Sequence, residues 1–341
     1  MKRKIGIGII GTGAITGTHI QAIQSLENAH LVGLLGFSEQ VAQSAESQFG
    51  VKVFYDIREF LAMPDLDLVS ICTASGNHLE SALAAIQAGK HVLIEKPIEI
   101  NLDRADQIIK ASEQNGLKCG VIFQNRFSPD FLRLKAAVNA GKFGKLLMGN
   151  AHINWYRSPE YYSSSSWKGT LSGDGGGAFI NQGIHTIDLL LNILGPVEMV
   201  FGKVKTLLHR IEGEDIGAAI VHFKNGALGN ISASTALFPG YPERLEIFGS
   251  LGSAVLEAGK LKAWNIQGEE TSLEVGKANL NTGAADPLAI GYKLHLEQYK
   301  DMVKAILEDR NPLVDGHEAR KSLELILGIY ESSKSKLPVW F

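Results

Sequence analysis

The sequence predicts an α/β protein in two parts: a doubly wound parallel sheet, followed by an α+β part with a mixed or antiparallel sheet. Over the first ~120 residues, short apolar runs alternate with helix-length segments, which is typical of βαβ units. After residue 123 the apolar runs become alternating and closely spaced, and 341 residues suffice for about two domains. We therefore expect domains of residues 1–122 and 123–341.

In the first part, the predicted strands are residues 5–10, 30–35, 68–72, 91–94 and 117–123. The predicted helices are residues 14–25, 39–49, 57–62, 79–89 and 102–115. Asn101 and Gly116 are the expected start and stop signals of the last helix. Strands separated by helices in this way pair in parallel.

In the second part, helices are predicted at residues 131–140, 186–194, 288–309 and 317–333. Strands are predicted at residues 197–206, 216–223, 227–233, 244–248 and 254–256. Asn225-Gly226 favours a tight hairpin turn, because both residues tolerate positive φ. This turn predicts antiparallel pairing of the strands on either side of it.

Composition excludes several classes of protein. A formal net charge of −3 without a basic stripe argues against nucleic-acid binding. No run approaches the ~18 apolar residues of a membrane helix, and the apolar start is too short for a signal peptide. Cys72 and Cys119 lie in apolar runs and have no metal-ligand spacing. We expect buried thiols, no metal site and a cytoplasmic location.

The first turn has the pattern of a dinucleotide site. Residues Gly11-Thr12-Gly13-Ala14-Ile15 follow a strand and open a helix, the context in which Gly-x-Gly-x-x-Gly binds a pyrophosphate. Gly11 permits the tight turn, and Gly13 lets the backbone approach the phosphates at the helix N-terminus. Thr16 stands at the third position of the motif, where Gly or Ala is usual. We predict that all five residues of this turn bind NAD or NADP.

The choice between NAD and NADP depends on the end of the second strand. An acid that binds the ribose hydroxyls of NAD would fall near Gly36, but the sequence there is Gly36-Phe37-Ser38. The missing carboxylate favours NADP slightly, with Ser38 as a contact, although no Arg or Lys stands there. The next loop supplies further predicted cofactor contacts: Thr73, Ala74, Asn77 and His78. His78 is equally interpretable as a hydrogen-bonding residue at a helix start.

Lys96 is the most informative single residue. It lies in Glu95-Lys96-Pro97, just after the predicted buried strand 91–94. A lysine there must stay solvated or paired, and the carboxyl edge of a parallel sheet is where ligands bind. Lys96 is therefore a candidate catalytic residue.

A second polar cluster lies in the other part of the chain. Asn181, His185 and Asp188 have the spacing i, i+4 and i+7, so on a helix they would share one face. Histidine is the usual proton acceptor for an alcohol that is oxidised near neutral pH. The alternative interpretation is a hydrogen-bonded pair in the protein core.

These motifs together resemble the glucose–fructose oxidoreductase / inositol dehydrogenase / rhizopine catabolism (Gfo/Idh/MocA) family over essentially the whole chain. The resemblance rests on the following stretches: Gly11-Thr12-Gly13, Gly89-Lys90-His91-Val92, Glu95-Lys96-Pro97, Phe123-Gln124-Asn125-Arg126-Phe127, Trp167-Lys168 and Gly175-Gly176-Gly177 with His185-Thr186-Ile187-Asp188. It implies a Rossmann domain and a C-terminal domain with a large open, mostly antiparallel sheet. That sheet is often buried in a homodimer or homotetramer.

The resemblance also implies the chemistry, which is hydride transfer between a nicotinamide and a carbinol carbon of a sugar, cyclitol or derivative. Lys96 would contact the reacting hydroxyl and His185 would act as acid/base. Asp188 would orient His185 or bind a substrate hydroxyl. The matching residues Glu95, Lys96, Asn125, Trp167 and Lys168 would line the cofactor.

One departure bears on the substrate. Inositol dehydrogenases place Asp where this chain has Asn181, and Asn there is similar to the branch that oxidises C3 of UDP-N-acetylglucosaminuronic acid. The aromatic stretch 155–162 supplies three further candidate substrate contacts: Tyr156, Arg157 and Tyr161. That stretch is equally interpretable as a strand that runs into an oligomer contact.

Two other functions compete with a sugar dehydrogenase. The first is an NAD(P)-sensing regulatory protein of the same fold, although such a sensor need not keep both Lys96 and His185. The second is a glycosidase-like enzyme that uses NAD transiently, which would recycle its cofactor without net NADH production.

Overall fold

The computed structural model describes residues 3–36, 43, 46–47, 50–269 and 291–341. The chain divides into a nucleotide-binding unit, Met1–Gln124 with Gly291–Arg320, and a C-terminal unit, Asn125–Ile290 with Lys321–Phe341. The expected boundary between residues 122 and 123 lies close to where the chain leaves the first unit. The expected division needs correction at Gly291–Arg320, because this segment returns to the nucleotide-binding unit.

The sheet of the nucleotide-binding unit is parallel and doubly wound. Among the described residues it contains Ile5–Ile10 (β1), Ala29–Leu35 (β2), Val53–Phe54 (β3), Leu68–Ile71 (β4), His91–Ile94 (β5) and Cys119–Val121 (β6). The strand order is β3-β2-β1-β4-β5-β6, and every pairing is parallel. The order therefore reverses at β1, as the sequence predicted.

The helices of this unit connect those strands and add a returning segment. They are Thr16–Gln24 (α1), Ile57–Leu61 (α2), His78–Gln87 (α3), Leu102–Gln114 (α4) and, after the C-terminal unit's main part, Lys293–Leu307 (α9). Asn101 caps α4 as predicted, since its side chain accepts a hydrogen bond from Arg104 N at 2.9 Å. Most of the predicted helix 39–49 lies outside the described residues, as does the predicted start of α9 at residue 288.

The core of this unit combines β1 with the returning helix. Ile7 and Ile9 are fully buried and belong to the same apolar cluster as Tyr299, Met302 and Val303 of α9. Residues almost 300 positions apart in sequence thus complete one core. The nucleotide-binding sheet depends on α9 for its apolar packing.

The sheet of the C-terminal unit is large and mostly antiparallel. Its described strands are Leu146–Asn154 (β7), Val197–Lys205 (β8), Ile216–Phe223 (β9), Leu228–Ser234 (β10), Arg244–Gly249 (β11), Gly252–Glu257 (β12), Lys260–Ile266 (β13) and Val339–Trp340 (β14). The order is β13-β12-β11-β7-β10-β9-β8-β14, and only the β7–β10 pairing is parallel among these strands. The predicted fold class is confirmed.

The described helices of this unit lie before and between the strands of this sheet in the sequence. They are Pro129–Asn139 (α5), Pro159–Ser163 (α6), Leu171–Asp174 (α7), Ile184–Leu194 (α8) and Gly316–Ser335 (α10), the last of which begins in the nucleotide-binding unit. Helix α8 packs on β7, where a Cβ on Gly149 would lie 2.6 Å from Leu194 Cδ1 and 2.8 Å from Leu190 Cδ1. A glycine at this point of the strand permits the close approach of the helix.

The cysteines and the helices agree with two expectations from composition. Cys72 and Cys119 are both buried and free, and burial raises the pKa of the Cys119 thiol to about 12. Within the described part of the chain, no helix combines the length and apolar character needed to cross a bilayer.

Candidate active site

The dinucleotide motif forms the turn between β1 and α1. Gly11 has φ of 114°, and a Cβ there would lie 2.5 Å from the carbonyl oxygen of Cys72. Gly13 and Ala14 are exposed, and a Cβ on Gly13 would meet no atom within 4 Å. The turn thus presents an open backbone cradle before a helix N-terminus, which fits the pyrophosphate of a dinucleotide.

Thr16 stands at the third glycine position of the motif, and the turn remains tightly packed around it. Its side chain is fully buried, and its hydroxyl donates to Gly11 O at 3.2 Å. Its backbone N–H donates to Gly13 O at 3.1 Å. The Thr16 hydroxyl therefore binds the first residue of the helix to the turn. The turn keeps the geometry of the motif although Thr16 replaces the usual Gly or Ala.

The second predicted cofactor loop follows β4. Thr73 and Ala74 are half-buried and Asn77 is exposed, so these three residues remain accessible. His78 is fully buried, with Nδ1 2.9 Å from Pro97 O and Nε2 3.3 Å from Thr73 O. His78 thus joins two loops from inside, and its expected contact with the cofactor stays a prediction. Ser38 lies outside the described residues, and Gly36 before it is buried.

Lys96 follows β5 at the carboxyl edge of the parallel sheet, where the sequence predicted it. It is half-buried, and its backbone N–H donates to its neighbour's carboxylate, Glu95 Oε2, at 3.1 Å. Oε1 of Glu95 lies 2.8 Å from His19 Nε2. The main chain of Lys96 is thus bound to one oxygen of the Glu95 carboxylate, and the other oxygen of that carboxylate is bound to His19.

In the C-terminal unit, the segment with His185 begins as one π-helical turn, Ala178–Gly183, and continues as α8. The 3.6-residue spacing of an α-helix does not apply across the π-helical turn. Within residues 178–191 the structure leaves only Asn181, Gln182 and His185 incompletely buried. These three side chains define the accessible face of the segment, and Gln182 is a member that the sequence reasoning missed.

Asp188 does not belong to this accessible face. It is fully buried, and its two carboxylate oxygens accept hydrogen bonds from Arg126 Nε and a terminal nitrogen of Arg126, both at 2.7 Å. Ser322 Oγ donates to the same carboxylate at 3.0 Å. The carboxylate of Asp188 therefore serves the packing of α8, and its expected role towards His185 or a substrate hydroxyl stays a prediction.

Asp174 is a further residue that sequence reasoning did not single out. It is almost fully buried; Oδ1 lies 2.6 Å from Asn181 Nδ2 and Oδ2 lies 2.6 Å from Gly169 N. These bonds orient the Asn181 amide and connect it to the loop that follows Trp167. The carboxyl group of Asp174 thus lies beside Asn181, although position 181 carries an amide where inositol dehydrogenases place Asp.

Glu214 holds the start of the same segment. Its carboxylate accepts hydrogen bonds from Gly177 N at 2.9 Å, Phe179 N at 2.8 Å and Tyr330 Oη at 2.9 Å. Burial raises the pKa of Glu214 despite these donors. A Cβ on Gly177 would lie 1.9 Å from Glu214 O, so only glycine fits at that position.

The aromatic stretch supplies a scaffold more than a set of ligand contacts. Arg157 is buried: its guanidinium lies 4.9 Å from the Trp155 ring centroid and donates to Gln182 Oε1 at 2.9 Å. Tyr161 Oη accepts from Gln182 Nε2 at 3.0 Å. Arg157 thus positions Gln182, and its expected contact with substrate stays a prediction. Tyr156 and Tyr161 are half-buried, and Tyr156 packs edge-on against Phe238.

The predicted cofactor residues of this unit are accessible. Trp167 is exposed, while Asn125 and Lys168 are half-buried. Lys168 Nζ lies 4.3 Å above the Tyr161 ring and donates to Ser164 Oγ at 2.8 Å. Burial lowers the pKa of Lys168, against an opposing effect of Asp174.

A cleft of about 750 Å³ lies beside Lys168 in this unit. It runs between the segment 156–170 and the loop 208–212, and it contains both aromatic and charged side chains. The lining residues that bear on ligand chemistry are Tyr156, Tyr162, Lys168, His209, Arg210 and Glu212. This volume falls within the range of small-molecule sites.

Each of the two parts of the chain matches a known protein-family model. Residues 5–123 match the oxidoreductase family with an NAD-binding Rossmann fold, and residues 131–255 match the GFO/IDH/MocA C-terminal domain. The chain belongs to the Gfo/Idh/MocA family of oxidoreductases. The predicted family, the oxidoreductase class and the nicotinamide dinucleotide as cofactor are thereby confirmed.

Individual relatives are similar over most of their length. Myo-inositol 2-dehydrogenase of Thermotoga maritima is 28% identical over 336 residues, covering 96% of this chain and 95% of that protein. The NADP(+)-dependent scyllo-inositol 2-dehydrogenase IolW of Bacillus subtilis is 26% identical over 84% of this chain and 82% of that protein. The WlbA dehydrogenase of Bordetella pertussis, solved with NADH and UDP-GlcNAcA, superimposes with a TM-score of 0.88 at 30% identity and covers 99% of each chain.

Proposed function

We propose that this Gfo/Idh/MocA protein catalyses the reversible NAD(P)-dependent oxidation of a secondary hydroxyl on a sugar, cyclitol or related derivative. The observation that carries the proposal is the pair Asn181 and His185, which are two of the three accessible polar side chains of an otherwise buried segment. Lys96, at the ligand-binding edge of the dinucleotide-binding sheet, supports the same reaction.

The proposed roles divide one alcohol oxidation among three side chains. The Lys96 ammonium stabilises the negative charge that develops on the substrate oxygen. The imidazole of His185 takes the hydroxyl proton as that charge forms, and Asn181 hydrogen-bonds a substrate hydroxyl. The nicotinamide, when bound, accepts the hydride from the same carbon. In the reverse direction, His185 returns the proton to the carbonyl oxygen.

The cleft beside Lys168 favours a substrate with an anionic extension. Its lining carries the cations Lys168 and Arg210 together with the aromatic rings of Tyr156 and Tyr162. A neutral cyclitol offers these cations no charged group, whereas a nucleotide-linked sugar acid offers phosphate and carboxylate oxygens and a base for stacking. WlbA, which was solved with UDP-GlcNAcA, supports this class of substrate. We therefore propose a nucleotide-linked sugar or sugar acid as the substrate.

A cofactor-sensing regulator is the second candidate, and Lys96 and His185 argue against it. A sensor needs the dinucleotide cradle at Gly11 and Gly13, which this chain has. It does not need a proton acceptor on an accessible face or a lysine at the sheet edge.

The buried thiols Cys72 and Cys119 fit a reducing compartment, so we propose that the enzyme works in the cytoplasm.

We further propose that the open face of the C-terminal sheet joins copies of this chain. A predominantly apolar stripe crosses five neighbouring strands of that face, because the register places its members side by side. Its polar member, His222, lies with Nδ1 3.0 Å from Glu198 Oε2. The stripe contains Met199, His222, Leu228, Met148 and Phe248. Leu228 is 48% exposed, and such rows of apolar side chains are typical of oligomer interfaces.

The test begins with fluorescence titrations of the purified protein with NADH and NADPH. Binding of either in the micromolar range or below is expected. Turnover is then measured with UDP-N-acetylglucosaminuronate, UDP-N-acetylglucosamine and myo-inositol. We expect kcat/KM to be at least about tenfold higher for a nucleotide-linked sugar than for myo-inositol. Binding without turnover on any substrate would favour the regulator.

The variant Arg210→Gln sharpens the substrate test. Loss of one cation from the cleft is expected to raise KM for the nucleotide-linked sugar by about tenfold. The KM for a neutral polyol serves as the control and should stay unchanged. Equal changes for both substrates would exclude the cleft as the site of the anionic extension.

A further inference from the structure

A buried polar network lies directly behind Lys96. Glu95 Oε1 lies 2.8 Å from His19 Nε2 and 3.8 Å from His295 Nε2. His19 and His295 are 0% and 1% exposed, and the Glu95 side chain is 12% exposed. The members come from α1, α9 and the end of β5, all within the nucleotide-binding unit.

The network continues behind His19 to two hydroxyl groups. His19 Nδ1 lies 2.7 Å from Tyr299 Oη and 3.3 Å from Ser70 Oγ, and the two hydroxyl oxygens are 2.7 Å apart. Burial lowers the pKa of His19, so its ring is neutral and carries one proton. With that proton on Nε2, His19 donates to Glu95 and its Nδ1 accepts from the hydroxyl pair.

The carboxylate of Glu95 is therefore held in its charged form. Burial alone would raise its pKa, but the hydrogen bond from His19 and the neighbouring His295 lower it well below the usual range. The other carboxylate oxygen, Oε2, accepts the backbone N–H of Lys96 at 3.1 Å. One charged group thus connects two buried histidines to the main chain of the lysine.

His19, Glu95 and His295 also bring three metal-ligand atoms within 4.8 Å of one another. The separation of 2.8 Å between His19 Nε2 and Glu95 Oε1 has the length of a hydrogen bond. In a tetrahedral zinc site, ligand atoms about 2.0–2.1 Å from the ion lie roughly 3.3 Å apart. The geometry favours a hydrogen-bonded network over a metal centre.

We propose that Glu95, supported by His19, His295 and Tyr299, is the positioning residue of the reaction, which fixes the main chain of Lys96. This inference rests on the proposed function, because it explains how the lysine is held for catalysis. It also gives the returning helix α9, which carries His295 and Tyr299, a part in the active site.

Glu99 supplies a matched control four residues away. Its side chain is fully buried and accepts the backbone N–H of the residue that follows it, Ile100, as Glu95 does with Lys96. It also accepts Arg104 Nε at 2.8 Å. Glu95→Gln and Glu99→Gln both replace a buried carboxylate that accepts the next backbone N–H, but only the first removes the carboxylate bound to Lys96.

The first readout does not depend on activity. In protein labelled with ¹⁵N-lysine, the amide signal of Lys96, assigned with Lys96→Arg, reports hydrogen exchange at its N–H. Exchange is expected to accelerate about tenfold or more in Glu95→Gln and to stay unchanged in Glu99→Gln. An unchanged Lys96 rate in Glu95→Gln would overturn the proposal, whether or not the protein turns over any substrate.

The second readout separates positioning from stability. On the full-length, cofactor-saturated enzyme, Glu95→Gln is expected to lower kcat about 30-fold or more with KM and the Kd of NADH within about threefold. Glu99→Gln should lower Tm comparably and change kcat little. Equal losses of kcat in the two variants would overturn the proposal. A wild type that is inactive on every substrate refutes the proposed function instead, while the exchange rates still decide what holds Lys96.

Discussion

Lys96 and His185 are the residues on which the proposed chemistry depends. The sequence indicated both, because each belongs to a motif whose members are adjacent or one turn apart. Asp174, Gln182 and Glu214 were not indicated, because they act through hydrogen bonds to other parts of the chain. Glu214 reaches its partner Phe179 across 35 residues, and no local pattern announces such a contact.

Lys96→Ala should lower kcat about 10²-fold or more, because the developing negative charge loses its stabilising ammonium. The Kd of NADH should change by less than about threefold, since the cradle at Gly11 and Gly13 is untouched. Stopped-flow turnover and fluorescence titration measure the two quantities. Lys90, which precedes β5 and donates to Leu66 O at 2.9 Å, provides the control Lys90→Ala. Near-normal turnover in Lys96→Ala would refute the assignment.

His185→Ala should abolish or shift the limb of the pH–rate profile that reports the proton acceptor. The oxidation rate should then rise with hydroxide concentration, since the solvent must remove the proton. The measurement is kcat/KM against pH with saturating cofactor. His317→Gln, at an exposed histidine paired with Glu113, is the control. A profile that keeps its shape in His185→Ala would assign the proton acceptor to another group.

At the scale of elements, the regular βαβ pattern was predictable and the irregular pieces were not. Strand β3 has two residues, which is too short for a period to register. Strand β7 carries Gly149 where α8 packs closely on it, and polar residues alternate with the buried ones, so its β-propensity is weak. The π-helical turn 178–183 also has no signature in the spacing of its apolar residues.

The ion pair between Arg126 and Asp188 fixes α8, so Arg126→Met should destabilise the protein by about 3–5 kcal/mol. The cause is the buried Asp188 carboxylate, which would lose the bidentate hydrogen bonds from the Arg126 guanidinium. The double variant Arg126→Met/Asp188→Leu should regain most of this stability. Urea unfolding measures each free energy. Lys300→Met, at an exposed pair with Glu297, should cost less than about 1 kcal/mol. A double variant as unstable as Arg126→Met would contradict this interpretation.

Glu243 links stability to pH. Burial raises the pKa of Glu243 to about 6 from its usual value of 4.5. The folded state therefore holds this proton more tightly, and its contribution to stability is complete below pH 4.5 and lost as pH rises through 6. Glu243→Gln should stabilise the protein at pH 7.5 by up to about 2 kcal/mol and have little effect at pH 4.

Urea unfolding of wild type and Glu243→Gln at the two pH values measures this difference. Glu27→Gln, at an exposed carboxylate, is the control and should behave as wild type at both. A Glu243→Gln variant that is equally stabilised at pH 4 and pH 7.5 would show that ionisation is not the cause.

At the scale of the whole molecule, the sequence predicted two units and their order but not the return of residues 291–320. The apolar face of α9 is visible in the sequence, yet such a face does not specify which core it covers. The register of β7 to β11, which creates the apolar stripe on the open sheet, depends on pairings between strands up to 100 residues apart. Long-range pairing of this kind leaves no local pattern.

Leu228→Asp should dissociate the proposed oligomer, because it places a charge in the apolar stripe. Light scattering after size-exclusion chromatography is the measurement. Leu147→Asp is the matched control: Leu147 is also 48% exposed but alternates with the open-face residues of β7. The wild type is expected as a dimer or tetramer, Leu228→Asp as a smaller species and Leu147→Asp as wild type. A monomeric wild type would refute the interface.

The return of α9 has a consequence for how the protein is made. A ribosome releases residues 1–124 long before it has synthesised Tyr299, Met302 and Val303, which belong to the same core cluster as β1. The nascent N-terminal part therefore keeps apolar surface exposed until residues 291–320 are synthesised. Most of the C-terminal unit is synthesised between these two segments. We expect translation arrested before residue 291 to yield chains that recruit chaperones and do not retain NADH. Cofactor capture thus becomes possible only after the ribosome has synthesised residues 291–320, and not when the first 124 residues have emerged.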